Sequence, residues 1–80
     1  MKTLVKSRQK VVEIADKAIL RLADSEKVSY KNYGHWADHI EGYKKHTLLL
    51  IRINQGHCEK ILESFKLKVI EITAFAMKED

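Results

Sequence analysis

The sequence contains no proline, and its eighty residues include only three glycines, Gly34, Gly42 and Gly56. Proline breaks a helix interior by removing a donor and clashing with the preceding turn, so only these glycines are left to interrupt long helices. Cysteine occurs once, at Cys58, which excludes an internal disulfide. Long apolar runs are missing too. The run Leu48 to Ile51 falls far short of the roughly 20 residues that a transmembrane helix needs. The basic N-terminus is not followed by the apolar stretch of about 7–15 residues that a signal peptide requires. These absences point to one soluble, cytoplasmic domain over residues 1–80 with no membrane insertion. There is also no Gly-rich phosphate loop, no paired Cys cluster and no Ser-centred elbow, so neither an enzyme nor a cofactor is expected.

What is present is charge in a particular layout. Fifteen Lys and Arg stand against eleven Asp and Glu, a net charge of +4. Lys2, Lys6, Arg8 and Lys10 lie in the first ten residues with no acid among them, so the excess is local and the remaining chain is balanced. Such a block can touch phosphates or an acidic protein, although Lys-rich helix starts are more often solvated faces.

Apolar periodicity predicts three helices, over about residues 3–24, 35–54 and 57–78, and hence an all-α, three-helix antiparallel bundle. The first helix would start at Thr3 as N-cap. Val5, Val12 and Ile19 follow one another at heptad spacing within it, flanked by Leu4, Val11, Ala15, Ala18 and Leu22. The stretch from Ser25 to Gly34 reads as a connection, because Ser, Asn and Gly mix there with isolated aromatics. In the second helix Trp36, Ile40, Tyr43, Thr47 and Leu50 form one stripe, and Gly56 would end it in a left-handed conformation, the competing reading being one straight helix that runs on through Gly56. In the third, Cys58, Ile61, Leu62, Phe65, Val69, Ile72 and Ala76 share one arc, which makes Cys58 a core residue and not a nucleophile.

A second apolar line on the third helix, Leu67, Ile70, Ala74 and Met77, lies away from that arc. It predicts a seam for a homo-oligomer or for a partner helix, unless neighbouring helices absorb it into a wider core. Leu48, Leu49 and Ile53 extend the expected contact surface, since consecutive apolar residues point all round a helix. Self-association would also relieve a size problem, because so short a chain buries only about 60–70% of the surface it exposes when unfolded. His35 and His39, at i,i+4, have the spacing of a metal-binding pair, with His46 on the same side but too far along the helix to share the ion. Exposed histidines are the commoner outcome, and no metal site is expected.

The expected function is therefore that of a non-enzymatic protein–protein interaction module. The alternative is a small basic DNA- or RNA-binding protein, with Lys44, Lys45, Arg52, Lys60, Lys66 and Lys68 adding to the basic start. Against it, acids are interleaved throughout, and the only short turn leads into a mainly aliphatic helix rather than a recognition helix.

Over its whole length this proline-free, Lys- and Ile-rich helical sequence resembles the small helical accessory proteins of tailed bacteriophages, such as the T-even cytoplasmic lysis-inhibition accessory proteins. That resemblance implies a regulator that binds one host or phage protein, for example the soluble portion of a holin, without catalysis. It assigns no functional residue.

Overall fold

The chain folds into α1 (Lys2–Asp24), α2 (Tyr30–Ile53) and α3 (Cys58–Lys78), with a 3-10 turn at Gln55–His57 leading into α3. The structure, a computed structural model, describes residues 2–78, with side chains from residue 5 onward. Among the described residues there is no strand, and each helix packs against the other two. Connections as short as these fold successive helices back on one another. The result is an all-α, three-helix antiparallel bundle, 41 Å long and about as thick as two helices, at 15 × 14 Å.

Helix α2 starts at Tyr30, five residues earlier than the sequence pattern predicts. Ser29 caps it, and its hydroxyl accepts from the Asn32 amide at 3.2 Å, which satisfies one of the four orphan donors of the first turn. Val28, just before the cap, and Tyr33, at the fourth helical position, both join the core. That is the arrangement of a hydrophobic staple. The connection shrinks to Ser25–Ser29, closed by the Val28 amide on the Ser25 carbonyl at 3.3 Å.

Asn54, not Gly56, ends α2. Its backbone amide and its side-chain Nδ2 both donate to the Leu50 carbonyl, at 2.8 and 3.2 Å. Among the described residues none, glycine included, has a positive φ, so Gly56 sits in the 3-10 turn without the left-handed conformation expected of it. At the other end of the chain α1 already includes Thr3, which is therefore not its cap. The side chains of Lys2, Thr3 and Leu4 lie outside the described residues.

The core of α3 is the predicted one, with Cys58, Phe65, Val69, Ile72 and Ala76 buried and Ile61 and Leu62 packed against them. Buried Thr73 is satisfied by donating to the Val69 carbonyl at 2.8 Å. On α1 the register is turned. The buried residues are Ser7, Val11, Ala15, Ala18 and Leu22, while Val5 is 55% exposed and Val12 is at the surface. Small side chains at the contact set how closely helices approach. Ala15 and Ala18 let the neighbours in, and the residues in line with them, Val11 and Leu22, become the centre. On α2 the fully covered residues are Ile40 and Ile51, with Thr47 between them, so Trp36, Tyr43 and Leu50 sit at the edge of the core, each partly buried.

Candidate functional site

The outer line of α3 is not core. Leu67 and Ile70 are 61% and 57% exposed, and Ala74 is exposed beside them. Met77 differs: it packs against the core and lines a groove with Leu20, Lys17 and Arg21 of α1. The α2 residues divide in the same way, because a helix turns about 100° per residue. Ile51 is buried, Leu48 packs against the core, and Leu49 and Ile53 face solvent. Exposed Leu20, Tyr30 and Phe75 were not marked by the sequence pattern. Phe75 falls between the two apolar lines of α3, so neither periodicity selects it.

The basic start does not form one patch. Lys6 and Lys10, at i,i+4, share a face, but Arg8 lies about 200° on from Lys6. Arg8 instead lines the groove between α1 and α2 with Val12, Glu13 and Leu48. The Lys2 side chain lies outside the described residues. Of the later lysines, Lys44 is paired with Glu41 at 2.9 Å, whereas Lys60 and Lys68 line the groove between α2 and α3.

His35 and His39 take part in a ladder of rings along α2. His35 and His39 stack with centroids 6.4 Å apart, Trp36 meets their edges at 5.1 and 5.9 Å, and His39 meets Tyr43 at 5.2 Å. The ladder continues onto α3, where Phe75 lies 6.3 Å from Trp36 and the Lys68 ammonium stands 5.8 Å from the Tyr43 ring centroid. Trp36 Nε1 is buried and meets no acceptor among the described residues. No group of three or more His, Cys, Asp or Glu side chains is placed to hold a metal ion among the described residues. Cys58 is buried, and its thiol donates to the Gln55 carbonyl at 3.2 Å.

The α2–α3 groove encloses about 390 Å³. Leu50, Ile61 and Phe65 form its apolar lining, and His46, Lys60 and Lys68 supply its ionisable groups alongside Tyr43. No Asp or Glu lines it among the described residues. The grooves beside α1 are mixed: Glu13 accompanies Arg8 in one, and Asp24 accompanies Lys17 and Arg21 in the other.

Compared with protein-family models, with curated proteins and with solved structures, the chain matches none. Among the described residues no helix is long and apolar enough to cross a membrane.

Proposed function

We propose that the chain is a non-enzymatic protein–protein interaction module, a small cytoplasmic regulatory or accessory protein that binds and modulates a protein partner. Its contact is the outer face of α3, and its assembled state is a homo-oligomer. The observation that carries this reading is the exposure of Leu67 and Ile70, one helical turn apart and turned away from Phe65, Val69 and Ile72. Burying an apolar side chain of this size contributes about 1.5–3 kcal/mol, so a line of them is strong driving force for a second helix to cover it. The spacing Leu67, Ile70, Ala74 is that of a coiled-coil seam, which Met77, packed against the core, does not extend. A role like that of phage accessory regulators, binders without chemistry, agrees with this reading.

Solution mass by light scattering behind a sizing column tests it, on the wild type and on the double variant Leu67→Glu, Ile70→Glu. The wild type is expected to run as a dimer or larger at both low and high salt, since an apolar seam responds little to screening. The double variant is expected to keep its helicity and run as a monomer. A variant with unchanged helicity and unchanged mass overturns the seam, and a wild type that is monomeric at every concentration overturns the homo-oligomer. Binding that falls steeply with salt would favour the nucleic-acid reading instead.

A further inference from the structure

We propose that the groove between α2 and α3 binds an acidic amphipathic helix of a partner protein, with Leu50 and Ile61 receiving its apolar stripe and Lys60 and Lys68 its carboxylates. This rests on the reading of the chain as a helical interaction module but uses a different surface, since Lys68 is about 100° round α3 from Leu67.

Shape is the first argument. A groove between two antiparallel helices, apolar along its floor, is the place where a further helix completes a four-helix bundle. Its lining on α3 runs from Lys60 to Lys68, a rise of about 12 Å, which rather more than two turns of a partner helix cover. The second argument is charge. The grooves beside α1 carry acids that offset their cations, whereas this groove is lined by basic groups with no acid among the described residues. Neither Lys60 nor Lys68 has a carboxylate within ion-pair distance among the described residues, where the pair formed is Lys44–Glu41. Third, Lys68 is held over the Tyr43 ring. A side chain already restrained loses less freedom when it pairs with an incoming carboxylate. A nucleic-acid strand fits less well, because Phe65 is buried and the Tyr43 ring is already met by Lys68 and His39, which leaves His46 alone as a ring on which a base could stack.

The test uses the full chain and two labelled synthetic peptides of about 18 residues, roughly 27 Å as helices. Both carry leucine at heptad positions a and d; one has glutamate at e and g, the other lysine. Fluorescence anisotropy is expected to show the glutamate peptide binding, less tightly as salt rises, and the lysine peptide binding at least about tenfold more weakly. In the double variant Lys60→Glu, Lys68→Glu the preference is expected to reverse, which also shows that the variant is folded. The Leu67→Glu, Ile70→Glu variant is expected to bind the glutamate peptide as the wild type does, so failure of the outer seam and failure of this groove are read separately. Equal affinity for the two peptides, no binding of the glutamate peptide at millimolar concentration, or a preference that survives the charge reversal overturns the proposal. So does an oligo-dT strand that displaces the glutamate peptide and itself depends on Lys60 and Lys68, which would make the groove a polyanion site.

Discussion

The rings of Trp36 and Phe75 lie 6.3 Å apart, centroid to centroid, with their planes inclined at 46°. This contact ties the second turn of α2 to the last turn of α3, at the end of the bundle away from the 3-10 turn. Aromatic pairs of this kind contribute about 0.5–1.5 kcal/mol beyond the area they bury. Phe75→Ala is therefore expected to lower the unfolding free energy by at least that amount in a urea titration. Trp36 is the only tryptophan, so the same variant is expected to shift its emission to the red. An unchanged midpoint together with an unchanged spectrum would mean that the ring contact contributes nothing.

Ser29→Ala removes the hydroxyl that accepts from the Asn32 amide. Loss of an N-cap of this type costs about 0.5–2 kcal/mol. The expected outcome is a destabilisation in that range, with helix content at low temperature nearly unchanged, because tertiary packing holds the rest of α2. Ser29→Asp is expected to retain stability close to wild type, since a carboxylate can accept the same bond and also favours a helix N-terminus. Equal losses in the two variants would show that the cap is not what starts the helix.

That cap was also the part of the fold least legible in the sequence. Tyr30, Asn32, Tyr33 and Gly34 look like a loop when read singly, and Tyr30 is indeed exposed. Only the staple of Val28 and Tyr33 around Ser29 marks the start, and it shows as a relationship across five residues, not as a composition. The register of α1 was hidden for another reason. Val11 and Val12 are adjacent and equally apolar, and the choice between them falls to Ala15 and Ala18, whose lack of bulk matters only once α2 and α3 approach. By contrast the core face of α3 was readable, because Phe65, Val69, Ile72 and Ala76 allow one such face and Leu67 and Ile70 are then forced outward, while Met77, which packs inward, and Phe75, which lies between the two lines, were not. Lys60 and Lys68 could not be told from the other lysines by sequence, since their grouping depends on which side of α3 meets α2.

Gly34 and Gly42 occupy interior positions of α2, and a Cβ added at either would meet nothing within 4 Å. Glycine within a helix costs roughly 0.5–1 kcal/mol relative to alanine, mostly through the freedom it has in the unfolded chain. Gly34→Ala and Gly42→Ala are each expected to stabilise the protein by about that amount. For a domain of this size the melting temperature should rise by roughly 4–8 °C per kcal/mol. The two sites are far enough apart along α2 for their effects to be nearly additive. A loss of stability at Gly42, which lines a shallow hollow with His39, Tyr43 and His46, would show that some contact needs the backbone bare there.

Leu20 and Leu22 provide an internal test of the α1 register, because the two residues share one helix and one side-chain type while their surroundings differ. Leu22 is fully buried at 0% exposure and Leu20 is 62% exposed. Leucine to alanine in a packed core costs about 2–5 kcal/mol through lost transfer energy and the cavity left behind. At an exposed site the same change usually stays within about 0.5 kcal/mol. Leu22→Ala is thus expected to lower the thermal midpoint severely and Leu20→Ala hardly at all, and the difference cannot come from helix propensity, which the two changes alter equally. Similar costs in dilute protein would mean that α1 is turned from the register described. If instead Leu20→Ala destabilises only as protein concentration rises, the exposed leucine is covered in an assembled state, since only a contact between copies makes a stability difference depend on concentration.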